Sequence, residues 1–179
     1  PSHRSRWRVP AVEPFQADVP SWQIRCLNPC GRGAQRPATA NYRQPALTLY
    51  SGQAEGKLTG GNLTLLAAMA GTPFAPGYKN KIVFIEEIGE KPYRIDRMFT
   101  QLLQATDIRK ANGIIFGIFH DCQPKTEENS LTLMETIQDF VEKVKLPSIY
   151  GFPIGHIPDM VTLPMDARAM LDADHNRVI

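Results

Sequence analysis

Lys81-Ile-Val-Phe-Ile-Glu-Glu-Ile-Gly-Glu90 carries the reading of this chain. Ile82 to Ile85 form a continuous apolar run bounded by charge, the pattern of a strand covered on both faces. The run predicts a strand that ends at Glu86, with two adjacent carboxylates, Glu86 and Glu87, at its carboxyl end.

Upstream, Ala46-Leu-Thr-Leu-Tyr50 alternates as a short strand, and Gly60 and Gly61 read as turn formers leading into a helix over Leu63 to Ala70. Asn62 is a competent N-cap for that helix. Gly71 stands where a left-handed residue closes it, and Pro73 prevents its continuation. Downstream, Pro92 opens a second helix in which Ile95, Met98, Phe99, Leu102 and Leu103 recur at intervals of three and four. Gly113 to Phe119 is a second buried strand, with Gly117 marking a bulge or a close backbone approach. A third helix is expected over Glu127 to Val144, acidic at its start, with Lys143 and Lys145 near its end and Pro147 beyond it. Ser148-Ile-Tyr150 is a third strand running into a Gly- and Pro-rich loop that carries His156. Val161 to Met165 and Ala169 to Leu171 then read as a closing hairpin. Strands alternating with helices predict an α/β fold with a parallel or mixed sheet and helical crossovers.

Residues 1–45 differ from the rest. They hold seven prolines, seven arginines and no sustained hydrophobic period, and read as an irregular or disordered leader before a domain over residues 46–179. The seven arginines face only Glu13 and Asp18, so this segment is at +5 and the remainder, at −3, is slightly acidic within a net charge of +2. A solvated tail accounts for such a segment better than a nucleic-acid arm, because only Trp7, Trp22 and Tyr42 interleave with the charges. Hydrophobic residues at 42% are enough for a sizeable core. Cys26, Cys30 and Cys122 are an odd number at no secreted-framework spacing, which predicts free thiols and a reducing, cytoplasmic location. No run approaches the length of a membrane span.

Chemistry in such sheets gathers at the carboxyl ends of strands, and both Glu86 and His156 have that address. A carboxylate accepting from one imidazole nitrogen fixes the tautomer and leaves the other nitrogen to take a proton from a nucleophile. Spacing alone equally allows a pair of solvated strand-end acids and an ordinary loop histidine. Other constellations carry less. In His120-Asp-Cys122, adjacent strand residues point to opposite faces and cannot readily chelate one ion. Cys26 and Cys30 lack a second ligand pair, so no metal is expected. Glu86 and Glu87 diverge for the same reason as any strand neighbours, against a glycosidase pair. Gly60-Gly61 lacks the Lys and Ser/Thr of a phosphate loop, and no cofactor is expected.

Several blocks together are more specific: Gly52-Gln-Ala-Glu-Gly56, Gly60-Gly-Asn-Leu-Thr-Leu-Leu66, Gly71-Thr-Pro73, Ile85-Glu-Glu-Ile-Gly-Glu90, Pro92-Tyr-Arg-Ile-Asp-Arg-Met98 and Gly155-His156. In this order they resemble the C-terminal domain of the LD-carboxypeptidases, over about residues 46 to 172. The resemblance implies a serine peptidase with a Ser-His-Glu triad that releases terminal D-alanine from murein tetrapeptides during cytoplasmic cell-wall recycling; related members hydrolyse a microcin. It maps the catalytic Glu onto Glu86 and the catalytic His onto His156. The family's usual Glu-Asp pair is Glu-Glu here, and Ile157 stands where a small residue is common.

In that family a preceding domain supplies the serine and the oxyanion-hole amides. Such a domain needs on the order of 100 residues, and none of Ser2, Ser5, Ser21, Ser51, Ser130 or Ser148 lies on a glycine-flanked strand-to-helix elbow. The expectation is therefore a C-terminal domain without its nucleophile domain, inactive by itself. Its expected partners are a muropeptide substrate, the nucleophile domain and, by resemblance, a second copy in a homodimer, with no nucleic acid and no membrane. The alternatives are a non-catalytic domain that binds muropeptides or a protein partner, and a fragment of a microcin-immunity-type peptidase.

Overall fold

The computed structural model describes residues 46–124, 131–158 and 160–179. In chain order the elements are β1 (Leu47–Tyr50), β2 (Gln53–Asn62), α1 (Leu63–Met69), β3 (Lys81–Ile88), α2 (Pro92–Ala105), a 3₁₀ turn (Ile108–Lys110), β4 (Gly113–His120), α3 (Leu133–Val144), β5 (Ser148–Tyr150), β6 (Arg168–Asp172) and β7 (Arg177–Val178). The seven strands form one sheet in the order β1-β5-β4-β3-β2-β6-β7. The central strands β2 to β5 run parallel, joined through α1, α2 and α3, and the outer pairings are antiparallel. The α/β class and the mixed sheet expected from sequence are both present.

The connection between β1 and β2 dictates the sheet's shape. Laid flat, the two strands would be four spacings apart, about 19 Å. Ser51 and Gly52, which join them, span only about 10 Å. The sheet must therefore curl, and a seam shows that it does: Thr48 Oγ1 on β1 donates to Ala173 O beyond β6 at 2.6 Å. Across the curl, a Cβ on Gly113 of β4 would stand 2.9 Å from Leu171 of β6 and 3.0 Å from Ala54 of β2, so glycine is what lets the walls meet.

Two cores follow from the strand period of two. Inside the curl Ile82, Ile115, Ile149, Phe152 and Leu171 pack together. Outside it Val83, Ile85, Ile114 and Phe116 pack against the helices. Phe99 of α2 stacks on Phe140 of α3 at 4.3 Å, with Phe116 edge-on to both. The helix ends are chemically specified. Pro92 opens α2, a reciprocal Thr132–Glu135 capping box opens α3, and Lys145 closes α3 in the left-handed conformation.

The structure corrects the sequence reading at four places. Gly60 and Gly61 are not turn residues: they end β2, a ten-residue strand, where a Cβ on Gly60 would collide with the Phe84 backbone. Low side-chain content hid that strand. The strand expected to stop at Glu86 continues to Ile88, because both carboxylates find partners and stay in the ladder. The third helix begins at Leu133 behind its Thr132 cap, while residues 127–130 lie outside the described set. The closing hairpin is β6 with β7; residues 161–165 form no strand, and Val161 and Leu163 among them line a concavity. Residues 1–45, with their Arg/Pro leader and Cys26–Cys30 spacing, also lie outside the described residues. Among the described residues no helix is long and apolar enough to cross a membrane.

Candidate functional site

Glu86 and Glu87 are neighbours on β3 and therefore face opposite sides of the sheet. Glu86 shares its face with Ile82 and Phe84, toward the inside of the curl. Glu87 shares its face with Val83 and Ile85, toward the helices. Both are buried, contrary to the picture of solvated strand-end acids.

Glu87 is fully engaged. It accepts from Asn62 Nδ2 at 2.8 Å, Thr64 N at 2.8 Å, Thr64 Oγ1 at 2.7 Å and Ile88 N at 2.9 Å. Three of these donors lie at the junction of β2 and α1, where Asn62 also caps the helix through Leu65 N. This carboxylate ties the start of α1 to the end of β3, and no oxygen is left for chemistry. Sequence reading paired it with Glu86 and missed that role; the Asn-x-Thr in the adjoining helix start was the available signal.

Glu86 has a different partner. Its Oε2 lies 2.9 Å from Nδ1 of His156, seventy positions away in the chain. An ionised carboxylate can only accept, so the contact assigns a hydrogen to Nδ1, and in the neutral imidazole Nε2 is then the nitrogen with the lone pair. The imidazole is half exposed while the Glu86 side chain is 11% exposed, which places a nearly dry acid behind an accessible base. The two residues singled out in the sequence are thus brought together.

The His156 loop is held by the backbone. Ile118 N donates to Ile154 O at 2.9 Å, Val161 N to Pro153 O at 2.8 Å, and Gly151 N to Phe116 O at 3.0 Å. β4 carries one extra residue against β3 between the Ile85–Phe116 and Glu87–Phe119 pairs. That bulge turns the Ile118 amide toward the loop. Gly155 adopts φ +119°, and a Cβ there would lie 3.0 Å from Glu86 Oε2. Only glycine combines that backbone with that approach.

Glu86 and His156 line an open concavity of about 660 Å³ whose other walls are Gly61, Phe84 and the apolar residues from Ile154 to Leu163. These two are its only ionisable side chains among the described residues. The apolar rim is not legible in the sequence, where the alternation over residues 161–165 reads as one arm of a hairpin.

No described alcohol or thiol stands beside His156. Ser148 is in register with Ile114 near the start of β4, whereas Glu87 is in register with Phe119, five residues further along; Ser51 adjoins the same far end. Cys122 is buried and gives its thiol hydrogen to His120 O. Burial, ahead of the nearby Glu87 charge, pushes that thiol up to about 11, so it is not a thiolate nucleophile. No group of three or more metal-binding side chains gathers among the described residues, and His120, Asp121 and Cys122 do not converge.

A second imidazole–carboxylate contact shows what is and is not diagnostic. His175 Nδ1 lies 3.0 Å from Asp172 Oδ2, in the turn between β6 and β7. That pair is three residues apart, also bonded through the His175 amide, and lines no part of the concavity. It is a turn motif. The Glu86–His156 pair is set apart by its long-range origin and its position in a cavity.

The sequence pattern of the LD-carboxypeptidase C-terminal domain matches residues 55–171. The chain belongs to the LD-carboxypeptidase family. It is 41% identical over 128 residues to the probable murein peptide carboxypeptidase of Bacillus subtilis, covering 72% of this chain and 40% of that protein. It is 35% identical over 126 residues to the murein tetrapeptide carboxypeptidase of Pseudomonas aeruginosa, covering 69% and 40%. Its fold superposes on the crystal structure of the muramoyltetrapeptide carboxypeptidase of Oxalobacter formigenes with a TM-score of 0.66 and 32% identity, covering 82% of this chain and 55% of that one. The chain thus spans about two fifths of the length of these curated LD-carboxypeptidases.

Proposed function

We propose that this chain supplies the acid and the general base of a serine-type LD-carboxypeptidase that releases terminal D-alanine from murein tetrapeptides. The observation that supports this most strongly is the 2.9 Å contact of Glu86 with His156 at the wall of an accessible concavity. In this reading Glu86 fixes the imidazole with its hydrogen on Nδ1. Nε2 then takes the proton from a serine hydroxyl as that oxygen attacks the carbonyl of the L,D amide bond. The imidazolium, stabilised by Glu86, returns the proton to the departing D-alanine amine. The serine and the oxyanion-hole donors come from a nucleophile domain outside residues 46–179. Family membership and the relatives' names as murein peptide carboxypeptidases support the choice of bond, and the cytoplasmic setting is part of the same proposal.

The acid–base pair alone is a weak catalyst. General-base assistance contributes only about 10²- to 10⁴-fold, and without an oxyanion hole the developing charge has no stabilisation. The 179-residue polypeptide is therefore expected to release no measurable D-alanine from a murein tetrapeptide. Robust release that disappears in His156→Ala would contradict the assignment of the nucleophile to another domain.

A further inference from the structure

Gly117 lies between Glu86 and Ile154, a residue of the loop that carries His156. It sits in the β4 bulge. A Cβ built on it would fall 2.5 Å from Ile154 Cγ1, 2.6 Å from Ile154 O and 3.2 Å from Glu86 Cβ. Two of these distances are shorter than real Cβ contacts, and one of the two is to backbone. The Ile154 carbonyl is also the acceptor for Ile118 N, the bond that tethers the loop two residues before His156. Gly117 therefore touches Glu86 on one side and the anchor of the His156 loop on the other. The reciprocal contact is made by Gly155, whose Cβ would stand 2.9 Å from Ile118 O. Unlike Gly155, Gly117 does not have positive φ, so its missing side chain serves close approach and not backbone freedom.

We propose that Gly117 is a positioning residue that sets the Glu86–His156 hydrogen bond by allowing the Ile154 carbonyl to close onto the β4 bulge. A methyl group there cannot be absorbed by one flexible side chain, because the carbonyl itself is in the way. The loop must move outward and carry the imidazole off Oε2. The inference rests on the proposed function only for its catalytic consequence; the geometric claim stands apart from it.

The test is Gly117→Ala in the full chain, read by NMR through the ring Nδ1–H of His156, which a carboxylate partner holds in slow exchange. Glu86→Ala serves as the variant that removes the partner, and Ile137→Val as a core variant of lowered stability far from the loop. Gly117→Ala is expected to lose the ring-proton signal as Glu86→Ala does, while Ile137→Val keeps it. Adding Ile154→Ala to Gly117→Ala removes the clash with Cγ1 but not the clash with the carbonyl, so the signal is expected to stay lost. A folded Gly117→Ala chain that retains the signal, or its recovery in the double variant, would overturn the proposal. If Gly117→Ala does not fold, the wild-type chain carries the test. The Ile118 amide and the His156 ring proton should then lose protection together on warming; loss of the ring proton with Ile118 still protected overturns it.

In an assembled enzyme that includes the nucleophile domain, a displacement of about 1 Å costs on the order of 10²-fold in kcat, with KM little changed. Full activity of His156→Ala would defeat the functional reading and leave the ring-proton result untouched.

Discussion

Glu86 and Glu87 are the same residue type, one peptide apart, both buried, and they do opposite jobs because a strand turns them to opposite faces. On the helix face Glu87 meets four donors and is saturated, so its carboxylate serves as a structural joint between β2, α1 and β3. On the inner face Glu86 meets one imidazole nitrogen at the wall of a cavity. A buried carboxylate whose hydrogen bonds are all internal stabilises the fold, whereas one whose single partner is half exposed is available for chemistry. The difference lies in the neighbours, not in the residue.

Activity should separate the two most widely. In an assembled enzyme Glu86→Gln keeps the shape of the side chain but no longer enforces the Nδ1–H tautomer, and kcat is expected to fall by about 10⁴-fold, measured as D-alanine released from a murein tetrapeptide. Its thermal unfolding should shift little, since only one hydrogen bond to an exposed ring is altered.

Stability should separate them in the reverse sense. Glu87→Ala removes the shared acceptor of Asn62 Nδ2, the Thr64 amide and hydroxyl, and the Ile88 amide at a part-buried junction. Thr64 and Ile88 are exposed, so water replaces part of what the carboxylate accepts, and a loss of about 1–3 kcal/mol is expected by denaturant titration. An equally unstable Glu86→Gln would erase the contrast.

The smallest effects sharpen it through pH. The Glu135 carboxyl is held below its ordinary value by the Thr132 amide and hydroxyl. Burial acts to raise the Asp172 carboxyl but is outweighed by hydrogen bonds from His175, so it too sits low. A lowered carboxyl contributes stability that is full above its unfolded pKa, about 4, and is lost as pH falls through the folded value. Cys122 on the helix face has the opposite sign. Its pKa is raised to about 11, so its contribution is complete below the unfolded value and disappears as pH rises toward 11. Cys122→Ala should flatten the alkaline limb of a stability–pH profile and leave the acid limb unchanged; Glu135→Gln should do the reverse.

The elements with side-chain chemistry at their boundaries were legible in the sequence. The Ile82–Ile85 run, the Pro92 helix with its stripe, and the Asn62 and Gly71 ends of α1 all folded as their residues dictate. Glu86 and His156 were legible as candidates, and the order of motif blocks gave the family. What the sequence hid was written in glycine and in tertiary contact. β2 ends in Gly60-Gly61-Asn62, whose lack of side chains reads as a turn until the Phe84 backbone is seen against it. The curl follows from a two-residue connection between strands that are not adjacent, and adjacency is not local information. Residues 161–165 alternate like a strand yet pair with none, and Val161 and Leu163 line the cavity instead. Glu87 looked like half of an acid pair because its four donors come from a segment more than twenty residues upstream and from its own neighbour.

The central claim is that Glu86 and His156 are a preformed acid–base pair completed by a nucleophile from another domain. The direct measurement mixes the purified 179-residue chain with a separately expressed LD-carboxypeptidase nucleophile domain and follows D-alanine release from a murein tetrapeptide. The prediction is activity in the mixture, none in either component, and none when the chain carries His156→Ala. A mixture that stays fully active with His156→Ala would contradict it.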